Sequence, residues 1–208
     1  MARSEPSLPR RAALRLGLGA ALWPLVACDD EDGWYGTDVS GLLPDLAFSM
    51  TRARDGVAVT EADYRGQAVA LFFGYTFCPD ICPMTLSNLA GVMEALGPGA
   101  QQVTILFVTV DPERDTPETT AEYVAAFTPR AEGLRGTDNQ LARLARRFKV
   151  TYKVPPHAPG DTDYAVSHGK SVYVFDKTGA ARVLWPQFDT LEADIDAAAG
   201  DLRRVIDL

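Results

Sequence analysis

The chain has 208 residues, 47% of them hydrophobic and 23% charged, proportions that suit one sizeable core and exclude disorder along the whole length. The length predicts one large domain plus a tail rather than two complete domains. A formal charge of −8 argues against nucleic acid as a partner, because phosphate binding needs clustered cations, and three cysteines are too few for a disulfide scaffold.

At the amino terminus, Arg3, Arg10, Arg11 and Arg15 lead into the apolar run Leu16 to Ala27, which ends at Leu25-Val26-Ala27-Cys28. A basic segment, a short apolar run and a small residue before a cut describe an export signal peptide over residues 1–27. The run is too short to cross a bilayer comfortably, since a spanning helix takes roughly 20 residues. Leu-Val-Ala-Cys resembles the bacterial lipobox. That resemblance implies lipidation at Cys28 and a protein in the bacterial cell envelope, on the periplasmic side of the inner membrane. Residues 28–45, with Asp29-Asp30-Glu31-Asp32-Gly33 near their start, read as a flexible tether. Loss of the leader removes four arginines and one glutamate, leaving a more acidic domain suited to steering toward basic partner surfaces.

The domain is expected over residues 46–208. Leu46 to Met50 meets Val57 to Thr60 across Asp55-Gly56, a strong hairpin signal. Ala68 to Tyr75 and Val103 to Val110 are continuous apolar runs, expected of strands buried on both faces. Between them, Leu86, Leu89, Ala90 and Met93 recur at helical spacing from Pro83 to Leu96, and Gly97-Pro98 ends the helix. Thr116-Pro117 opens a second helix to about Phe127, and Thr137-Asp138-Asn139-Gln140 is a capping box for a third to Phe148. Arg143, Arg146, Arg147 and Lys149 make the solvated face of that third helix. Val172 to Phe175 and Ala181 to Trp185 form a hairpin around Asp176-Lys177-Thr178-Gly179, and Asp189 or Thr190 starts a terminal helix. This order predicts an α/β sandwich with a central mixed sheet flanked by helices and an N-terminal β-hairpin.

The chemistry concentrates in Cys78-Pro79-Asp80-Ile81-Cys82-Pro83, placed between a buried strand and a helix, at the sheet edge where open α/β folds put their sites. Residues four apart on a helix bring Cβ atoms to about 5–6 Å. Both sulfurs then reach one metal ion or approach disulfide distance. A helix amino terminus lowers thiol pKa and raises the thiolate fraction, the form that ligates and attacks. Of the two histidines, His157 lies in the proline-rich loop Val154 to Gly160 and is expected to be exposed; His168 directly precedes the strand at Val172. Met84 and Met93 read as core fillers of their helix.

Three stretches, Phe73 to Pro83, Thr109-Val110-Asp111-Pro112-Glu113-Arg114-Asp115-Thr116-Pro117, and Tyr164 to His168, resemble the Sco/SenC copper proteins of cytochrome oxidase assembly in the family's own order. The likeness covers roughly residues 40 to 206. It implies a thioredoxin-like fold with inserted elements, and copper held by Cys78, Cys82 and His168. Ser167 departs from the family, which usually has aspartate before the histidine. Two thiolates and one imidazole make a soft, three-coordinate set that favours Cu(I), with Cu(II) as a further state, and leaves zinc wanting a ligand. Asp111 is a candidate to support the ligands or to cap its own loop.

The primary functional expectation is a metallochaperone for the binuclear copper centre of cytochrome c oxidase; the alternative is a thiol-disulfide oxidoreductase acting on the oxidase cysteines through a Cys78–Cys82 redox pair. Three residues between the cysteines, and no proline before Val172, count against a general oxidoreductase. The expected partners are the copper-site subunit of the oxidase, a periplasmic thiol reductase that keeps the pair reduced in an oxidising compartment, and a copper donor protein.

Overall fold

The computed structural model describes Met1 and residues 33–208. Cys28 and the rest of the expected leader lie outside the described residues. In chain order the elements are β1 (Thr37–Asp38), β2 (Ser49–Arg52), β3 (Ala58–Thr60), β4 (Ala68–Gly74), α1 (Ile81–Leu96), β5 (Val103–Thr109), α2 (Pro117–Ala125) and β6 (Ala131–Arg135). They continue with α3 (Asp138–Arg147), β7 (Tyr152–Lys153), β8 (Ser167–His168), β9 (Val172–Phe175), β10 (Ala181–Trp185) and α4 (Ile195–Asp207).

The two apolar runs become the centre of the sheet. β4 and β5 pair in parallel from Ala68 opposite Val103 to Gly74 opposite Thr109, and both are buried along their full length. Alternate side chains point to opposite faces, so Val69, Leu71 and Phe73 enter one core with Leu141, Leu144 and Phe148 of the α3 region. Ala70 and Phe72 enter a second core with Leu86, Leu89 and Val92 of α1 and Leu202 and Val205 of α4. β6 continues the parallel part, and the remaining pairings are antiparallel, giving the order β1-β10-β9-β4-β5-β6-β2-β3. The expected mixed sheet flanked by helices is therefore present, and so is the N-terminal hairpin, where Met50 faces Val59 and Gly56 adopts φ +70° in the connecting loop.

Two boundaries differ from expectation. Residues 34–45 are docked, not a tether: the amides of Tyr35 and Gly36 donate to the Asp201 carboxylate at 2.8 and 3.0 Å, β1 pairs with β10, and Val39 is buried. The segment's apolar residues follow no helix or strand period, yet Trp34, Val39 and Leu43 pack on the cores while backbone groups find partners on an existing sheet edge. The terminal helix starts at Ile195, later than Asp189 or Thr190, because the Asn88 amide donates to the carbonyls of Phe188 and Thr190, satisfying that backbone outside a helix. β6, β7 and β8 carry no apolar alternation and emerge only as neighbours of other strands.

Candidate metal centre

The sulfur-bearing turn hangs from the end of β4. The Gly74 carbonyl accepts from the Val110 amide, and the Cys78 amide donates to the Tyr75 carbonyl, closing a tight turn. Gly74 is required here: a Cβ would lie 2.7 Å from Cys82 Sγ and 2.6 Å from Phe107 Cε2. Only a hydrogen fits. Thr76 is pinned by Asp115, whose carboxylate accepts from the Thr76 amide at 3.0 Å and from its hydroxyl at 2.6 Å.

α1 begins at Ile81, two residues before the expected start, so Cys82 lies in its first turn and Cys78 just ahead of it. The first amides of a helix lack intrahelical acceptors, and Asp80 makes no side-chain cap. Cys78 Sγ takes that place, accepting from the Cys82 amide at 3.4 Å. Pro83, at the third helical position, has no donor to strand. Both thiols are free and buried, Cys82 completely.

His168 arrives from the far side of the sheet edge on the two-residue β8, paired with β7 so that Tyr152 faces His168. Nδ1 donates to the Gly169 carbonyl at 2.9 Å, which in the neutral ring leaves the Nε2 lone pair free. Nε2 lies 3.5 Å from Cys82 Sγ, and the ring meets Tyr75 edge-on at 5.8 Å. The ligand atoms of Cys78, Cys82 and His168 all fall within 4.8 Å of one another. They face a cavity of about 370 Å³ whose walls include Ile81, Val166 and Lys170.

The two sulfurs are electrostatically unequal. The Cys82 thiol, which donates to Cys78, is the largest cause, and with the amides of Asp80 and Cys82 it outweighs burial and holds the Cys78 thiol down at about 3. The bond that Cys82 gives to Cys78, together with its own burial, pushes Cys82 up. The metal-free pair therefore holds one thiolate and one thiol.

Asp111 lies behind this centre without touching a ligand. It is buried, and its carboxylate accepts from Arg114 Nε and from the Tyr164 hydroxyl at 3.0 Å. His157, expected in open solvent, stacks on Tyr164 at 4.1 Å between centroids with its Nε2 3.5 Å from Glu113. The Tyr164 ring, seven residues on, supplies an apolar face that proline-rich composition does not announce. Ser167 lies on β8 opposite Lys153, and the orienting partner of His168 is the Gly169 carbonyl. Arg114 and Asp115 are the residues that sequence reasoning missed. Their only signal was membership of the Thr109 to Pro117 stretch.

A family model described as SCO1/SenC matches residues 45–207. The chain belongs to the SCO1/SenC family. It is 46% identical over 174 residues to the mitochondrial SCO2 homolog of Bos taurus, covering 81% of this chain and 64% of that protein. It is 43% identical over 126 residues to the mitochondrial SCO2 homolog of Homo sapiens, covering 60% of this chain and 47% of that one. The chain thus spans about half to two thirds of the length of these curated relatives. The solved structure of Bradyrhizobium japonicum ScoI with copper bound superposes with a TM-score of 0.68 at 35% identity, covering 77% of this chain and 98% of that one. The fold is the thioredoxin-like sandwich of this SCO1/SenC family. The expected placement in a bacterial envelope is corrected by the two curated relatives, which are mitochondrial proteins. An arginine-rich, acid-poor start is not diagnostic of a secretory signal, because organellar transit peptides share that composition.

Proposed function

We propose that this SCO1/SenC protein is a copper metallochaperone, carrying copper on Cys78, Cys82 and His168 and delivering it to the binuclear copper centre of cytochrome c oxidase. The observation that carries this reading is the imidazole: a dithiol enzyme needs two sulfurs only, yet Nε2 of His168 stands 3.5 Å from Cys82 Sγ with its other nitrogen already committed to a carbonyl. Two sulfurs and one imidazole nitrogen suit Cu(I), the cargo state, with Cu(II) as a second state. Cu(I) with two thiolates and a neutral ring carries one net negative charge, which costs less at a half-buried edge than a bare dithiolate. Family membership and the copper-bound relative support the same cargo. The partners on this reading are the copper-site subunit of the oxidase, a thiol reductase that keeps the cysteines reduced, and a donor protein that supplies the ion.

A second reading, thiol-disulfide exchange on the oxidase cysteines, draws support from the thiolate held on Cys78 beside the Cys82 thiol. One substitution separates the two. Reduced wild-type protein titrated with Cu(I) against a competing chelator is expected to hold one ion, and His168→Ala to lose stable binding while keeping dithiol exchange. Stoichiometric Cu(I) retained by His168→Ala refutes the ligand set.

A further inference from the structure

Cys82 and His168 are 86 residues apart in the chain, and β8, which carries the histidine, is only two residues long. So short a ladder does not by itself fix a ring to within a bond length. The link is the guanidinium of Arg114, buried between the two loops. Toward the histidine loop, Nη1 donates to the carbonyls of Thr162 and Tyr164, both at 2.8 Å, and the guanidinium carbon sits 3.5 Å from the centre of the Tyr164 ring. Toward the cysteine loop, it lies 4.9 Å from the Phe77 ring and 5.5 Å from the Tyr75 ring. Asp111 fixes the guanidinium through Nε and holds the Tyr164 hydroxyl with its other oxygen.

These contacts use two separated nitrogens: Nε serves Asp111 and Nη1 serves both carbonyls, while the guanidinium carbon lies near three aromatic rings. A lysine ammonium carries the charge on one nitrogen and cannot serve Asp111 and both carbonyls from two separated positions. The group is thus held by Asp111 and touches both loops at once.

We infer that Arg114 is a positioning residue that sets the distance from His168 to the two sulfurs by bracing the loop of residues 162–168 against the loop of residues 75–77. This rests on the copper reading above for its consequence, but not for its geometry.

Two measurements test it on the full chain, using Arg114→Lys so that Asp111 keeps a buried counter-charge. In the metal-free reduced protein, amide hydrogen exchange over residues 162–169 is expected to quicken at least about tenfold, while β4 and β5 keep their protection. In Cu(I) competition against a chelator, Arg114→Lys is expected to weaken binding by about 10–100-fold, the usual range for residues supporting metal ligands. Cu(I) affinity within about twofold of wild type, or unchanged exchange over residues 162–169, overturns the inference. If wild type fails to bind Cu(I) and exchange nonetheless quickens only in that loop, the copper reading falls and the brace stands.

Discussion

Gly74→Ala tests whether the sulfur geometry is built by close packing against the strand. The added methyl would sit 2.6 Å from Phe107 Cε2 and 2.7 Å from Cys82 Sγ, whereas nonbonded carbon contacts are comfortable at about 3.5–4.0 Å. Roughly 1 Å of movement must be found. Phe107 cannot supply it easily, since its ring is wedged against Phe72 at 5.3 Å and Tyr123 at 5.7 Å between centroids. Gly74 cannot withdraw without opening the ladder to Thr109 and the bond to the Val110 amide. The first turn of α1, carrying Cys82, is the element that yields. Overpacking of this kind costs about 1–3 kcal/mol, and a domain of this size then melts roughly 2–12 °C lower. A sulfur displaced by about 1 Å is expected to weaken Cu(I) binding at least about tenfold. Gly91→Ala, in the middle of the same helix, is the control: its Cβ meets Ile195 Cγ2 at an ordinary 3.5 Å, so helix propensity predicts a gain of about 0.5–1 kcal/mol. Thermal melts and chelator competition on both variants decide the matter. Should Gly74→Ala keep wild-type copper affinity, the packing account of the site is wrong even if stability falls.

The asymmetry of the cysteines has a direct readout in acid. With Cys78 held down at about 3 and Cys82 pushed up, Cys78 of the reduced, metal-free protein stays a thiolate at pH 5 and is expected to be carboxymethylated there by iodoacetate well ahead of Cys82; comparable rates by mass spectrometry refute the assignment. The same inequality fixes the proton balance of loading at pH 7.5. Only Cys82 has a proton to lose and the imidazole binds through a lone pair, so calorimetry in buffers of different ionisation enthalpy should register about one proton released per Cu(I), not two. Elsewhere, Asp201→Ala leaves the amides of Tyr35 and Gly36 and the buried indole N–H of Trp185 without their acceptor, a loss of about 2–4 kcal/mol. Denaturation should reveal it, together with new proteolysis near residues 34–40, and an unchanged midpoint would show the anchor to be dispensable.

The parts of this fold legible in the sequence are those in which one segment carries its own reason. Ala68 to Gly74 and Val103 to Thr109 are apolar at every position that must be buried twice, and Thr137 with Gln140 forms the reciprocal capping pair that the order of their residue types implies. β1 and β6 have no such signature. Thr37 and Asp38 are exposed, and Ala131 to Arg135 mixes Glu, Gly and Arg into five residues; each is a strand because a neighbour offers unpaired backbone. The docked Trp34 to Asp45 region was hidden for the same reason, its anchor being a carboxylate more than 160 residues away.

The site divides along the same line. Two cysteines four apart, after a strand and entering a helix, declare their chemistry locally. His168 is paired with them only through the thioredoxin-like fold that the family resemblance implies, in which the loop before β9 faces the cysteine turn; β9 does pair with β4. Arg114 and Asp115 could not. In a string of letters, Glu113-Arg114-Asp115 is a charged loop with no reason to be inside, and charge normally means solvent. What buries Arg114 and Asp115 is the end of β5, which delivers residues 111–115 between the cysteine loop and the histidine loop, where each buried polar group must find partners. Asp115 finds Thr76 and Thr109; Arg114 finds Asp111, Thr162 and Tyr164. The same desolvation that obliges these side chains to bond is what makes their bonds rigid. Residues 111–115 thus bond to both the segment that carries the cysteines and the segment that leads to His168, while contributing none of the three clustered side chains.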